Sequence, residues 1–237
     1  PMRRVGPKGS GQWENISWDQ AYDEIAEKLT AIRRESGPEA VALISGTGRH
    51  HLSQFWRFGN VLGTPNATSS GALICLGPRK NAGDFTAGVF AGVDYYGETR
   101  PGGILVWGAN PAVSGADGEL QFHIQDAVKE GIPLIVVDPK PNTLTKAAKL
   151  WLRLRPGTDG ALALGLLHLI IEEDRYDHEF VEGYTYGFDA LRQRCRKFDP
   201  KTVAAITRVP EAQLHEAARL ISEIKPLALE WGCAIEQ

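Results

Sequence analysis

The chain has 237 residues, 43% of them hydrophobic, and a formal net charge of −3. That length is enough for one large or two smaller α/β domains with a full core. There is no basic excess to suggest nucleic acid as a partner, and the longest apolar run, Ala161 to Ile171, is too short to span a bilayer.

Residues 1–12 are rich in Gly, Pro and basic side chains and predict an extended lead-in. No apolar stretch follows Pro1-Met2-Arg3-Arg4, so no export signal is legible, and a cytoplasmic or periplasmic location stays open. Ser17 and Gln20 form a capping-box pattern, and Ala21, Ile25, Leu29 and Ile32 follow the helical period, which predicts a helix to about Glu35. Val41-Ala42-Leu43-Ile44 reads as a fully apolar, buried parallel strand. With Gly46-Thr47-Gly48 and a helix carrying Phe55, Trp56 and Phe58, it predicts the start of a βαβ unit.

A cysteine loop follows, then a helix over about Pro78 to Ala87; residues 88–102 read as irregular. From Gly103 the α/β alternation is strong. Strands are predicted at Ile104–Trp107, Pro133–Val137, Leu150–Leu154 and Leu227–Trp231. Helices are predicted at about Asp117–Lys129, Thr143–Lys149, Asp159–Glu173, Gly187–Phe198 and Pro210–Ile224.

The three cysteines, Cys75, Cys195 and Cys233, are far apart and give neither a CxxC motif nor a zinc or iron–sulfur spacing. Cys75 lies before Leu76-Gly77-Pro78-Arg79-Lys80, where a helix N-terminus and two cations favour thiolate, the form that acts as nucleophile or metal ligand. The competing reading is a small buried hydrophobe. Cys195 in a charged helix reads as incidental, and His168 between two leucines as a packed or partly exposed core residue; Cys233 reads as buried. His50 and His51 could line a funnel, although a plain strand-end loop is the simpler account.

Three successive strands end in Gly108-Ala109-Asn110-Pro111, Asp138-Pro139-Lys140 and Gly157-Thr158-Asp159. In a doubly wound sheet those ends share the edge where ligands bind. Gly108 and Gly157 would let backbone N–H groups approach a pyrophosphate. Asp138 would suit a ribose hydroxyl, and Asp159 the paired N–H donors of a guanine edge. Any one loop is also ordinary turn and N-cap chemistry; three in sequence point to a nucleotide-like ligand.

The ordered set Trp107-Gly108-Ala109-Asn110-Pro111, Val137-Asp138-Pro139-Lys140, Leu154-Arg155-Pro156-Gly157-Thr158-Asp159-Gly160-Ala161-Leu162 and Trp231-Gly232 resembles the molybdopterin oxidoreductases. These are the bis-(molybdopterin guanine dinucleotide) enzymes of the dimethyl sulfoxide reductase superfamily. Arg4 through Trp13 with Ser17-Trp18-Asp19, and Ile170-Ile171-Glu172-Glu173 with Asp177, Phe180 and Val181, extend the resemblance along the whole chain.

The resemblance implies an α/β fold, a three-layer αβα arrangement with a parallel Rossmann-like sheet. Residues 71–237 would form an incomplete dinucleotide-binding domain, and residues 1–70 part of a second, discontinuous αβα domain. Cys75 would be the catalytic ligand to molybdenum or tungsten. Gly108, Asn110, Ser114, Asp138, Lys140, Gly157, Thr158 and Asp159 would contact a guanine dinucleotide tail, with Gln237 near the pterin. The Cys-x-Gly-Pro context resembles the formate dehydrogenase and polysulfide or thiosulfate reductase branches. Leu76 stands where formate dehydrogenases carry His, which weakens formate oxidation and leaves acetylene hydratase-like, non-redox hydration open. Lys140 replaces the usual Arg and loses its bidentate fork.

The expected whole is a longer enzyme with two dinucleotides, a [4Fe–4S] domain outside this chain, a small-molecule substrate and an iron–sulfur electron-transfer subunit as partner. This stretch alone would be inactive. A metal-free electron-transfer subunit derived from the family is the alternative that Cys75 and the three loops weigh against.

Overall fold

The computed structural model describes residues 1–46, 50–71, 76–89, 92–114 and 118–232. The chain divides into two compact units, Pro1–Pro78 and Arg79–Gln237.

In the first unit, β1 (Met2–Arg4) pairs antiparallel with β2 (Trp13–Asn15), so the expected extended lead-in is a short hairpin. Gly9 and Gly11, both at positive φ, let the chain double back between the strands. Helix α1 (Trp18–Ser36) starts as predicted: Ser17 Oγ accepts the Gln20 N–H at 3.1 Å, and Gln20 Oε1 accepts the Ser17 N–H at 2.9 Å. None of its residues is buried. Strand β3 (Leu43–Ser45), helix α2 (Leu52–Leu62) and strand β4 (Ala67–Ser69) form the expected parallel βαβ unit. Its first strand differs from expectation, because Ile44 is 75% exposed. A two-stranded sheet with one short crossover helix covers one face of β3, so an apolar run does not by itself make a doubly buried strand. His50 and His51 are exposed just before α2.

Helix α3 (Leu76–Ala87) runs into the second unit. There the order is β5 (Gly103–Trp107), α4 (Pro111–Ser114), α5 (Leu120–Lys129), β6 (Leu134–Val137), α6 (Thr143–Ala147), β7 (Leu150–Leu152) and α7 (Asp159–Glu172). It continues with α8 (His178–Tyr184), α9 (Phe188–Cys195), α10 (Pro200–Thr207), α11 (Glu211–Glu223) and β8 (Leu227–Trp231). The strands form one parallel sheet in the order β7-β6-β5-β8.

Alternate residues of these apolar strands face opposite layers. Leu105, Trp107, Ile135, Val137 and Leu152 pack with Leu162 and Leu166 of α7, Val203 of α10 and Leu214 and Ala217 of α11. Ile104, Val106, Leu134, Val136 and Ala228 pack with Tyr95, Leu144, and Ile124 and Ala127 of α5. Every residue of β5 and β6 is buried, as expected of a parallel sheet covered on both faces. The arrangement is the α/β, three-layer architecture that the sequence predicts.

Two short helices go beyond the sequence reading. Asp177 caps α8 by accepting the Phe180 N–H, and Asp199 caps α10 ahead of Pro200. Helix α9 stops at Cys195, earlier than predicted, and Cys195 is 1% exposed. Burial pushes its thiol pKa up, which makes it an unreactive core residue.

Candidate cofactor-binding site

Strands β5, β6 and β7 run one way along the sheet, and β8 lies on the opposite side of β5. The strand order therefore reverses between β5 and β8, and the carboxyl edge there is the switch point where open α/β sheets bind ligands. The two backbones nearly touch there. Gly232 N–H donates to Trp107 O at 2.9 Å, and a Cβ on Gly232 would lie 2.9 Å from the Gly108 carbonyl carbon.

After β5, Gly108 takes φ +60° and turns the chain out of the sheet. Its N–H donates to Val137 O at 2.9 Å, so this amide completes the ladder. Asn110 O accepts the Val113 and Ser114 N–H groups and the Ser114 hydroxyl, at 2.9–3.1 Å. Ser114 is thereby engaged in its own turn and exposed. Asn110 Oδ1 is buried and has no hydrogen-bond partner among the described residues. A buried acceptor left this way costs about 1–3 kcal/mol.

After β6, Asp138 is drawn inward by its neighbours. Its Oδ1 accepts the Lys140 N–H at 2.7 Å, its Oδ2 accepts from Asn142 Nδ2 at 3.0 Å, and its carbonyl accepts the Trp151 indole N–H at 2.8 Å. The carboxylate is thus oriented by an Asx turn and by Asn142, which also caps α6. Asn142 escaped the sequence reading; its Asn-x-x-Thr spacing was the available signal. Lys140 is exposed at the rim.

After β7, Gly157 takes φ +79°. Thr158 donates its hydroxyl to Arg155 O at 2.6 Å instead of capping α7. The first turn of α7 therefore begins without a side-chain cap, and a Cβ on Gly157 or Gly160 would meet nothing within 4 Å. Asp159 Oδ1 accepts the Trp107 indole N–H at 2.8 Å, which ties the first loop to the third across the end of β6. That bond uses one lone pair of the acceptor pair expected for guanine.

The predicted residues of all three loops thus stand on one edge, while Cys75, Cys233 and Gln237 lie outside the described residues. The two cations expected to act on Cys75 have partners among the described residues: Lys80 pairs with Asp84, and Arg79 donates to Trp231 O. At the end of β8, Tyr95 donates its hydroxyl to Glu230 Oε1 at 3.0 Å. Burial, only partly offset by Tyr95, Arg79 and His123, raises the Glu230 carboxyl above its ordinary range; burial also raises the Tyr95 phenol. An apolar cavity of about 280 Å³, lined by Leu167, Ile170, Tyr176 and Phe180 among others, lies toward the opposite end of α7 from Asp159.

Comparison with known proteins agrees with this fold. The chain is 36% identical to the acetylene hydratase of Syntrophotalea acetylenica, covering 100% of this chain and 32% of that protein. It is 33% identical to the thiosulfate reductase molybdopterin-containing subunit PhsA of Salmonella typhimurium, covering 97% of this chain and 29% of that protein. The structure of acetylene hydratase from Pelobacter acetylenicus matches 99% of this chain and 32% of its own, with a TM-score of 0.77 and 33% identity. The chain spans about a third of the length of these relatives. Residues 1–228 match the family model described as molybdopterin oxidoreductase, and the chain belongs to that family.

Proposed function

We propose that the chain is the part of a molybdenum or tungsten enzyme that holds one molybdopterin guanine dinucleotide at the carboxyl edge of the β7-β6-β5-β8 sheet. Asn110 Oδ1, buried at the switch point with no partner among the described residues, is the observation that carries this reading. It fits a ligand N–H donor. The uncapped start of α7, beside two glycines open to solvent, suits a phosphate. Asp159 has a carboxylate oxygen with no partner among the described residues, suited to a guanine N–H. Asp138, pre-oriented by Asn142, suits a ribose hydroxyl, with Gly108 and Gly157 shaping the turns and Ser114, Lys140 and Thr158 at the rim. Gln237 belongs to the stretch expected beside the pterin, and a second dinucleotide would be held by parts of the enzyme outside this chain. In this division of labour residues 71–237 serve the dinucleotide, and residues 1–70 belong to a second αβα domain.

When bound, the group supplies a two-electron metal centre suited to oxygen- or sulfur-atom transfer. Cys75 supplies its thiolate as protein ligand, a soft donor appropriate to such a metal. An iron–sulfur cluster outside this chain and an iron–sulfur partner subunit would carry its electrons. The whole protein acts on a small-molecule substrate. Non-redox hydration is the second reading, favoured by the match to acetylene hydratase along the entire chain and by apolar Leu76 beside Cys75.

Metal analysis and guanine-nucleotide release from the full-length protein test the first claim. Absence of both molybdenum and tungsten overturns it. Turnover of a reduced viologen with oxyanion or sulfur acceptors, set against hydration of an alkyne, separates the two chemistries.

A further inference from the structure

Trp107 ends β5 with its backbone and its ring both fixed. Its carbonyl accepts the Gly232 N–H at 2.9 Å, and the next amide, Gly108 N–H, donates to Val137 O. The residue is 8% exposed and belongs to the core cluster of Leu152, Leu162 and Leu166. An indole has one polar atom, its N–H. Here Nε1 donates to Asp159 Oδ1 at 2.8 Å, across the end of β6.

Asp159 has a competing place to go. It stands in the first turn of α7, which begins without a side-chain cap. A carboxylate there is drawn to the free amides and the positive end of its own helix. The two carboxylates of the edge are also held differently. Asp138 takes protein donors on both oxygens, whereas Asp159 takes one, on Oδ1, and its Oδ2 has no partner among the described residues. The donor to Asp159 comes from a strand 52 residues away, so the sheet and not the local turn sets the direction of this carboxylate.

On the reading that Asp159 accepts from guanine, we infer that Trp107 is the positioning residue for base choice. Its indole N–H keeps Asp159 off the start of α7 and holds Oδ2 ready for the base. Guanine offers N1–H and a 2-amino group side by side, both donors; hypoxanthine offers N1–H alone. A carboxylate held still gains from the second donor, and one free to turn onto its own helix loses that gain.

The test uses the full-length protein prepared free of molybdopterin, with guanosine diphosphate and inosine diphosphate as probes in calorimetric titrations. One hydrogen bond to a charged acceptor predicts that wild type binds the guanosine probe about tenfold more tightly. Trp107→Phe is expected to weaken the guanosine probe about tenfold and the inosine probe less than about threefold, so that the preference shrinks. Should that variant not fold, 3-benzothienylalanine incorporated at position 107 keeps the ring's shape and replaces only the N–H, with the same loss of preference expected.

Equal weakening of both probes by either replacement would mark Trp107 as a packing residue only, and an unchanged preference would show that its bond to Asp159 does not serve the base; each overturns the inference. Asp159→Asn checks the underlying reading and is expected to abolish the preference. If it does so while the changes at position 107 do not, the inference fails and the reading of Asp159 stands. A wild type that binds neither probe, or both alike, or an Asp159→Asn protein that keeps the preference, refutes that reading and the inference with it.

Discussion

Replacing Gly232 with alanine would place a methyl carbon 2.9 Å from the Gly108 carbonyl carbon and 3.2 Å from Ala109 Cα, and closer still to Gly108 O. All three are backbone atoms on the exit of β5, so no side chain can swing aside. Relief requires the β5 and β8 ends to separate, which breaks the Gly232 N–H to Trp107 O bond. Overpacking costs about 1–3 kcal/mol and a lost hydrogen bond about 0.5–1.5 kcal/mol. The expected penalty is therefore about 3 kcal/mol, or about 6–12 °C for a chain of this size. Thermal and urea unfolding of the purified protein measure it. Gly160→Ala is the contrast. A Cβ there meets nothing within 4 Å, and alanine in a helix is worth about 0.5–1 kcal/mol over glycine. That variant should unfold later than wild type yet hold guanine nucleotide less well, because the methyl stands where a phosphate would approach α7. A Gly232→Ala protein within about 0.5 kcal/mol of wild type would refute the close-approach argument, since that is the scatter of ordinary surface substitutions.

Gly165→Ala on α7 would bring a methyl 2.5 Å from Val203 Cγ2 on α10 and cost about 1–3 kcal/mol; adding Val203→Ala should recover part of it in the same denaturant titration. Asn142→Ala removes the cap of α6 and the donor to Asp138 Oδ2, for about 1 kcal/mol of stability. The same variant should lose guanine nucleotide on gel filtration, because Asp138 is no longer oriented. Glu230 has a folded pKa raised chiefly by burial. Its contribution is fully present below the ordinary carboxylate range and is lost as pH rises through the raised folded value. Glu230→Gln keeps an acceptor for the Tyr95 hydroxyl, so unfolding free energy measured from weakly acid to neutral pH should fall less steeply than in wild type; an unchanged slope would show that Glu230 is not the group responsible.

Where residues were buried on both sides, the fold could be read directly. Ile104 to Trp107 and Leu134 to Val137 have no polar face to lose, so apolar runs bounded by Gly and Pro fixed both strand type and edge. Elsewhere the signal was local and the outcome tertiary. Ile44 reads as core, yet core status depends on what covers a strand, and β3 has one neighbouring strand and one helix in its unit. The short helices α8 and α10 span only two turns each, too little for periodicity to register; their Asp N-caps were the visible marks. At the candidate site, the loops were legible because three runs of Gly, Pro or Asp follow successive strands, although each alone is ordinary turn and N-cap chemistry. Their internal wiring was not. That Asp138 is held by Asn142, or Trp107 by Asp159, depends on side chains meeting across strands, which spacing along the chain does not encode.

That wiring changes what the edge can offer a ligand. Read as a sequence, every Gly and Asp of the three loops is a candidate contact. In the structure most of those polar groups already hold the edge together: the Gly108 amide closes the ladder, Asp138 takes two local donors, Thr158 turns to Arg155, and one oxygen of Asp159 holds Trp107. What remains for a ligand is a short set, namely Asn110 Oδ1, the second oxygen of Asp159 and the first amides of α7. These groups sit on strand ends and a helix start, not on long loops, so binding need not order them first. A dinucleotide site gains affinity by such preorganisation, since little conformational entropy is left to lose when the ligand arrives.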